Sequence, residues 1–460
     1  MQTVPPLQIS AEELAVTTLG PCNVHSPLGL STRLGDGIPD YVPDDVRVTL
    51  EVESSAASPI ARPTLFEKAG PRHRIYFEPR RVRAGIVTCG GLCPGINNVI
   101  RSLVLELHHK YGVEGILGFR YGYQGLDPES RLEPQPLLPS DVLHVHRQGG
   151  SMLGVSRGAR NVGAMVDTLV RHRLDVLFAI GGDGTLRGAH AIALEARRRS
   201  LPLAVIGIPK TIDNDIEYID KTFGYDTAVD LARAAVDAAH TEALNAYNGV
   251  GIVKLMGRDA GFIAAAATLA SREVNFCLIP EVPFHLHGER GLLAALERRL
   301  EHRRHALLVV AEGCAMQLGL DRNARDASGN ARYASQDLDV GTHLRDAITK
   351  HLASRGIPAT VKYIDPSYMI RSVPANAQDA IFCDALARNA VHAAMAGKTD
   401  VVIGRIHRVF THVPLALIVN KRKRVNPDGG LWLAVTEATE QQQLWEHPPS
   451  SSGVPIATTG

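Results

Sequence analysis

Residues 175–215 read DVLFAIGGDGTLRGAHAIALEARRRSLPLAVIGIPKTIDND. Two apolar runs, 176–180 and 203–208, each stop abruptly at residues suited to holding phosphate and metal rather than to packing. Unbroken, β-branched-rich runs of this length predict buried strands of a parallel sheet. Ligands of such sheets sit beyond the carboxyl ends of the strands. The chemistry is therefore expected at GGDGT (181–185) and at PKTIDND (209–215).

Outward from this stretch, the same rhythm repeats. AGIVTCGGLCPGINNVIRSLVLEL (84–107) is a strand, a glycine-rich turn, and a helix with Ile100, Leu103, Val104 and Leu107 on one face. EGILGFRYGYQGL (114–126) opens a second unit. Downstream, a helix at 227–245 carries Val229, Ala232, Val236, Ala239 and Ala243 along one stripe. Strands are predicted at 249–255, 274–279 and 306–311, with an alanine-rich helix at 260–270. Helices at 337–355 and 377–396 stop at Gly356 and Gly397. Strands alternating with helices imply a doubly wound parallel sheet. Residues 1–82 are proline-rich and irregular, an arm with one short strand-like piece at 46–52. Residues 318–336 predict a long polar loop, and 447–460 a disordered tail.

Composition narrows the function classes. At 460 residues the chain is long enough for two domains and an extension. Its net charge of +1 supplies no global field toward nucleic acid or membrane. The most membrane-like run, 260–270, falls far short of the roughly 20 apolar residues a span needs. The first basic residue, Arg33, lies too far in for a secretory n-region, and the six cysteines form no CxxC, so a reducing cytoplasm is expected. No HExxH pair supports zinc catalysis.

Three motifs carry chemistry. CGGLCPGIN (89–97) turns a strand into a helix and aims backbone N–H groups at one point; by itself it is a phosphate cradle or a tight structural turn. In GGDGT, Gly181 and Gly182 let a ligand approach the backbone, and Asp183 stands where it can meet magnesium carrying phosphate oxygens. In PKTIDND, Asp213 and Asp215 flank Asn214, so an extended backbone would put both acids on one face. One carboxylate can then take a proton from a hydroxyl while the other helps hold the metal. Thr211 offers a hydroxyl and Lys210 a point charge.

Taken with MGRDAG (256–261), PEVPF (280–284) and the basic run ending at Arg371, these motifs resemble the phosphofructokinase family over about residues 83–435. GGDGT alone is also similar to lipid and NAD kinases; the later motifs separate them. The resemblance implies two doubly wound (Rossmann-like) α/β parallel-sheet domains with the active site in the cleft between them. A nucleotide domain would span 83–225 and 370–408, and a sugar-phosphate domain 226–369 and 409–446. It implies magnesium-dependent transfer of the ATP γ-phosphoryl to the 1-hydroxyl of fructose 6-phosphate, a step of glycolysis. By matching positions, Gly91, Tyr123, Arg157 and the Gly182, Asp183, Gly184, Thr185 turn would bind ATP, with Asp183 and Asp215 holding Mg²⁺. Asp213 would be the general base, helped by Thr211, Lys210 and Arg258. Thr211, Asp213, Asp215, Met256, Gly257, Arg258, Glu312, Lys362, Tyr368 and Arg371 would hold the sugar phosphate.

Two positions bear on the donor. Pyrophosphate-using members resemble GGDDT with PKTIDND, and common ATP-using members GGDGT with PGTIDND. Here Gly184 stands with Lys210. A carboxylate at 184 would repel the α-phosphate of ATP by about 4 kcal/mol at 4 Å, whereas Lys210 excludes nothing. ATP is the expected donor, with pyrophosphate the alternative, and YNGVGIVKLMGRDAG resembles the long ATP-dependent branch that includes the trypanosomatid enzymes. Gly249 stands where many bacterial members place an arginine facing a neighbouring subunit, so the usual effectors are not assumed. The resemblance implies a homotetramer or a dimer. Residues 397–399 (GKT) read as a helix end rather than a Walker loop, and KRKR (421–424) as a solvated face or an effector or subunit contact. A non-catalytic subunit on the same fold is the rival class; it should have lost Asp183 or Asp213.

Overall fold

The computed structural model describes residues 9–54, 63–320, 339–419 and 421–441. Most of the loop expected at 318–336 and all of the tail expected at 447–460 lie outside these residues.

Five parallel strands form the heart of a nine-stranded sheet: Arg83–Thr88, Gly115–Phe119, Val176–Gly181, Ala204–Pro209 and Val401–Ile406. Numbered along the chain, they lie in the order 2-1-3-4-5. Ile86, Phe178 and Ile206 sit side by side in register, without exposure to solvent. Both sheet faces are covered. Phe178 and Ile180 join a core with Ile96 and Leu386, while Leu177 and Ala179 join another with Met165 and Ile192. Double coverage explains why these strands read as continuous apolar runs rather than alternating ones.

A second sheet is wholly parallel, in the order Phe276–Leu278, His305–Ala311, Gly249–Leu255, Thr360–Ile364. The α/β architecture with two parallel-sheet units is therefore as expected. One boundary is not. Val409–Pro414 hairpins back antiparallel onto Val401–Ile406 in the large sheet, so 409–414 does not join the smaller unit. His407 and Arg408 form the turn, both at positive φ as a tight two-residue hairpin needs, although neither is glycine. The helix Gly430–Thr439 does pack on Phe262–Ser271 of the second unit.

The N-terminal arm adds strands of its own. Leu65–Lys68 pairs with Val409–Pro414, and Arg47–Thr49 pairs with Leu65–Lys68, forming one edge of the large sheet. Gly397 ends the helix Ala377–Met395 at φ +66°, and Lys398 makes a 2.9 Å ion pair with buried Glu67. The GKT triplet is thus a helix end.

Buried Asp379, in that helix, accepts from Gly224 N (2.9 Å), Thr227 N (2.7 Å) and Thr227 Oγ1 (2.6 Å). It caps the helix Tyr225–Leu244, which lacks a side-chain cap of its own. Asp379→Ala leaves buried donors unpaired, and the expected loss is about 3 kcal/mol of stability. A urea midpoint lowered at unchanged slope would show it.

Candidate active site

Every site element hangs from the carboxyl end of a strand. In the large sheet, strands 1 and 3 are neighbours whose connections depart in opposite directions, which opens a crevice at their ends. CGGLCPGIN follows the first and GGDGT the other. In the small sheet, Met256–Arg258 follows one strand, Glu312 its neighbour, and the helix Ser367–Arg371 the next. The two sets face one cleft of about 630 Å³, to which both sheets contribute.

On the first side, the helix Asp183–Arg198 begins at the strand end, with Gly182 as its N-cap. Its exposed N–H groups and dipole favour an anion. Asp183 is held by Arg187 at 3.0 Å and Arg422 at 3.4 Å. A Cβ added at Gly184 would meet nothing within 4 Å, so that position opens straight into the cleft. Tyr123 is buried beneath the helix and donates to Thr185 O at 2.6 Å. Lys210 is also buried; its Nζ donates to Gly91 O at 2.8 Å, and burial pushes its pKa down. Its charge therefore ties down the glycine-rich turn. Arg157 lines the cleft beside Gly91.

TIDND is a turn, so the extended backbone that would put both acids on one face is not the arrangement found. Asn214 takes φ +55°, accepts from Thr222 N at 3.0 Å and donates to Asp220 O at 3.3 Å. Thr211 Oγ1 accepts from Asp213 N at 3.1 Å. The turn still delivers both acids, because Asp213 and Asp215 line the cleft. Asp213 Oδ1 is buried with no hydrogen-bond partner among the described residues. Burial, then the charges of Asp215 and Glu312, push the Asp213 carboxyl up to about 8, against the pull of Arg258 and Arg422.

On the second side, Met256, Arg258, Glu312 and Arg371 line the cleft. Gly257 does not. It adopts φ +131°, a Cβ there would lie 2.5 Å from Ala260 O, and its own carbonyl accepts from Gly313 N. Its part is to bend the chain so that its neighbours point inward. Burial raises the Glu312 carboxyl, with Arg258 and Lys254 opposing. The guanidinium of Arg371 sits 4.8 Å from the Tyr368 ring centroid.

Two further expected residues are not brought to the cleft. Lys362 is half-exposed on its strand and pairs with Glu242, and Tyr368 is 78% exposed. Gly249 has a steric reason: a Cβ there would sit 2.1 Å from Ala243 O, so no arginine fits. Three cleft cations were not anticipated: Arg160, Arg187 and Arg422. Arg187 was readable as the i+4 partner of Asp183. Arg422 was not, since it lies 239 residues from Asp183 and belongs to the KRKR run read as a solvated or contact face.

A carboxylate at a helix N-terminus, a buried orphan carboxylate oxygen and seven cationic side chains against four carboxylates make a site for polyphosphate. The family model described as phosphofructokinase matches residues 83–394. A protein named ATP-dependent 6-phosphofructokinase from Borreliella burgdorferi is 46% identical over 438 residues, covering 93% of this chain and 97% of that one. A namesake from Trypanosoma brucei brucei is 45% identical over 391 residues, covering 84% and 79%. The crystal structure of a pyrophosphate-dependent phosphofructokinase from Marinobacter aquaeolei matches with TM-score 0.63 at 20% identity, covering 81% of this chain and 95% of that one. The last likeness speaks to the fold alone. The chain belongs to the phosphofructokinase family.

Proposed function

We propose that the protein is an ATP-dependent 6-phosphofructokinase, which converts fructose 6-phosphate and ATP to fructose 1,6-bisphosphate and ADP. The observation that carries this reading is Asp213: a buried carboxylate oxygen without a partner, facing a cleft lined by phosphate-binding groups from both sheets. In the reaction, Asp213 takes the proton of the 1-hydroxyl. The freed oxygen attacks the γ-phosphorus, and the bond to the β–γ bridging oxygen breaks as ADP leaves. Arg258 and the helix N-terminus at Asp183 neutralise the transferring group, which is most of what phosphoryl transfer requires. Glu312 and Arg371 hold sugar hydroxyls and the 6-phosphate.

The donor set fits magnesium, which commonly takes one or two carboxylates plus substrate phosphates. Asp183 and Asp215 would hold it; among the described residues there is no cluster of three or more acids, His or Cys, as a dedicated protein cage would need. Bound Mg²⁺ supplies charge neutralisation on the phosphate oxygens. ATP rather than pyrophosphate is supported by the open Gly184 and by the names of the close relatives. Lys210, the feature that favoured pyrophosphate, spends its ammonium on Gly91 O. The retained Asp183, Asp213 and Asp215 speak against a non-catalytic subunit.

Asp213→Asn is expected to lower kcat by about 10²–10⁴-fold in a coupled assay with ATP and fructose 6-phosphate. The base must be ionised, so kcat/KM should rise with pH on a limb above the ordinary carboxylate range, near 8 in the free enzyme. Asp215→Asn removes a charge that raises Asp213, so the limb should move to lower pH even as activity falls. A limb that stays in place would remove Asp213 as the base.

Gly184→Asp is expected to fold normally, because its side chain enters open space, yet to lose ATP affinity by up to about a thousandfold. A wild type inert with ATP and active with pyrophosphate would instead reverse the donor assignment.

Assembly as a homotetramer in the cytoplasm belongs to the same proposal. Tyr368 and Met369, 78% and 72% exposed beside Arg371, support a second copy covering that rim. Among the described residues, no helix is long and apolar enough to cross a membrane. Sedimentation should give a mass four times that of the chain, and a monomer at micromolar concentration would remove this part.

A further inference from the structure

The basic run KRKR crosses the mouth of the cleft as a strap stitched to both halves. On the first side, Lys423 N donates to Asp215 O at 3.0 Å, and Lys423 Nζ donates to Ile219 O at 2.6 Å and Asp220 O at 3.1 Å. On the second, Val425 N donates to Glu281 Oε1 at 2.8 Å, and the same oxygen accepts from Gly261 N at 2.9 Å. Immediately before the first of these anchors, Arg422 reaches into the cleft, where it pairs through Nη1 with Asp259 and through Nη2 with Asp183 at 3.4 Å. One planar guanidinium thus joins the acid at the start of the GGDGT helix to an acid of the MGRDAG segment.

We infer that Arg422 is a donor-binding residue, a guanidinium that rests on Asp183 while the site is empty and turns to the ATP phosphates when they arrive. This rests on the reading of the protein as a phosphofructokinase. The physical argument concerns Asp183 Oδ2, which Arg187 and Arg422 share at 3.0 and 3.4 Å. A divalent cation entering with its polyphosphate competes for that carboxylate and repels a cation already there. The Asp259 end of the fork stays anchored on the opposite side of the cleft, so Nη2 can exchange one anionic partner for another without withdrawal of the side chain. A phosphate oxygen would satisfy the guanidinium in place of Asp183. The strap keeps this geometry because Arg422 sits between Lys421, whose backbone N–H donates to Ile418 O at 3.1 Å, and Lys423, whose ammonium donates to two carbonyls.

The test compares wild type with Arg422→Lys and Arg422→Gln by calorimetry, using ATP alone, ATP with Mg²⁺, and fructose 6-phosphate as separate titrants. Direct phosphate contact predicts about tenfold to a hundredfold weaker ATP binding in the Gln variant, with and without metal, partial recovery in the Lys variant, and fructose 6-phosphate affinity changed by less than threefold. A purely structural strap predicts something else: equal loss for both ligands, matched by Asp259→Asn, together with a lowered melting temperature. That result, or ATP affinity at the wild-type level in the Gln variant, would overturn the assignment. If Gln fails to fold, the Lys variant, which keeps the positive charge, still separates ATP from sugar phosphate. Failure of the underlying functional reading is distinguishable, because wild type itself would then be inactive with ATP and fructose 6-phosphate.

Discussion

Asp213, Asp215 and Glu312 line one cleft, where burial and then the like charges of its two neighbours raise the cost of ionising Asp213. Most of the site's design follows from that repulsion. A base needs a carboxylate that is buried enough to be basic, and a polyanionic substrate adds more negative charge beside it. The chain answers with cations drawn from both sheets and from the C-terminal strap. Three of them have a partner that holds them in place: Arg422 has Asp259, Lys210 the carbonyl of Gly91, and Arg187 has Asp183 one helical turn away.

The fold's part is convergence. Parallel strands all end on the same side, so their following loops gather at one rim. The 2-1-3-4-5 order opens the crevice between the turns after Thr88 and Gly181. The smaller sheet presents Arg258, Glu312 and Arg371 from three adjacent strand ends. Residues far apart in sequence therefore meet without any long excursion of the chain.

Much of this was legible beforehand, because it is written in local patterns. Continuous apolar runs marked both sheets, and Asp183 and Asp213 could be found from their place after those runs. What escaped was tertiary. The turn in TIDND depends on Asn214 bonding Thr222 and Asp220, several residues downstream, so local sequence did not decide between an extended segment and a turn. The hairpin that keeps 409–414 in the large sheet carries no glycine-rich turn signal; His407 and Arg408 adopt positive φ instead. Lys362 and Tyr368 matched a family pattern, but a strand's alternation turns Lys362 toward Glu242, and Tyr368 faces outward on its short helix. Arg422 could not be read from composition, since its neighbours look like any solvated basic run.

The arm's two short strands also protect the molecule. A nine-stranded sheet has two borders, and an unpaired border of free N–H and C=O groups can recruit strands from other molecules. Here one border is Arg47–Thr49, only three residues long, and the other is Gln135–Pro136, where proline lacks a donor. The long inner strands, among the most aggregation-prone segments in the chain, are thereby shut away from either border. Loss of residues 47–68 would bare the backbone of Val409–Pro414 and turn that strand into a longer open border.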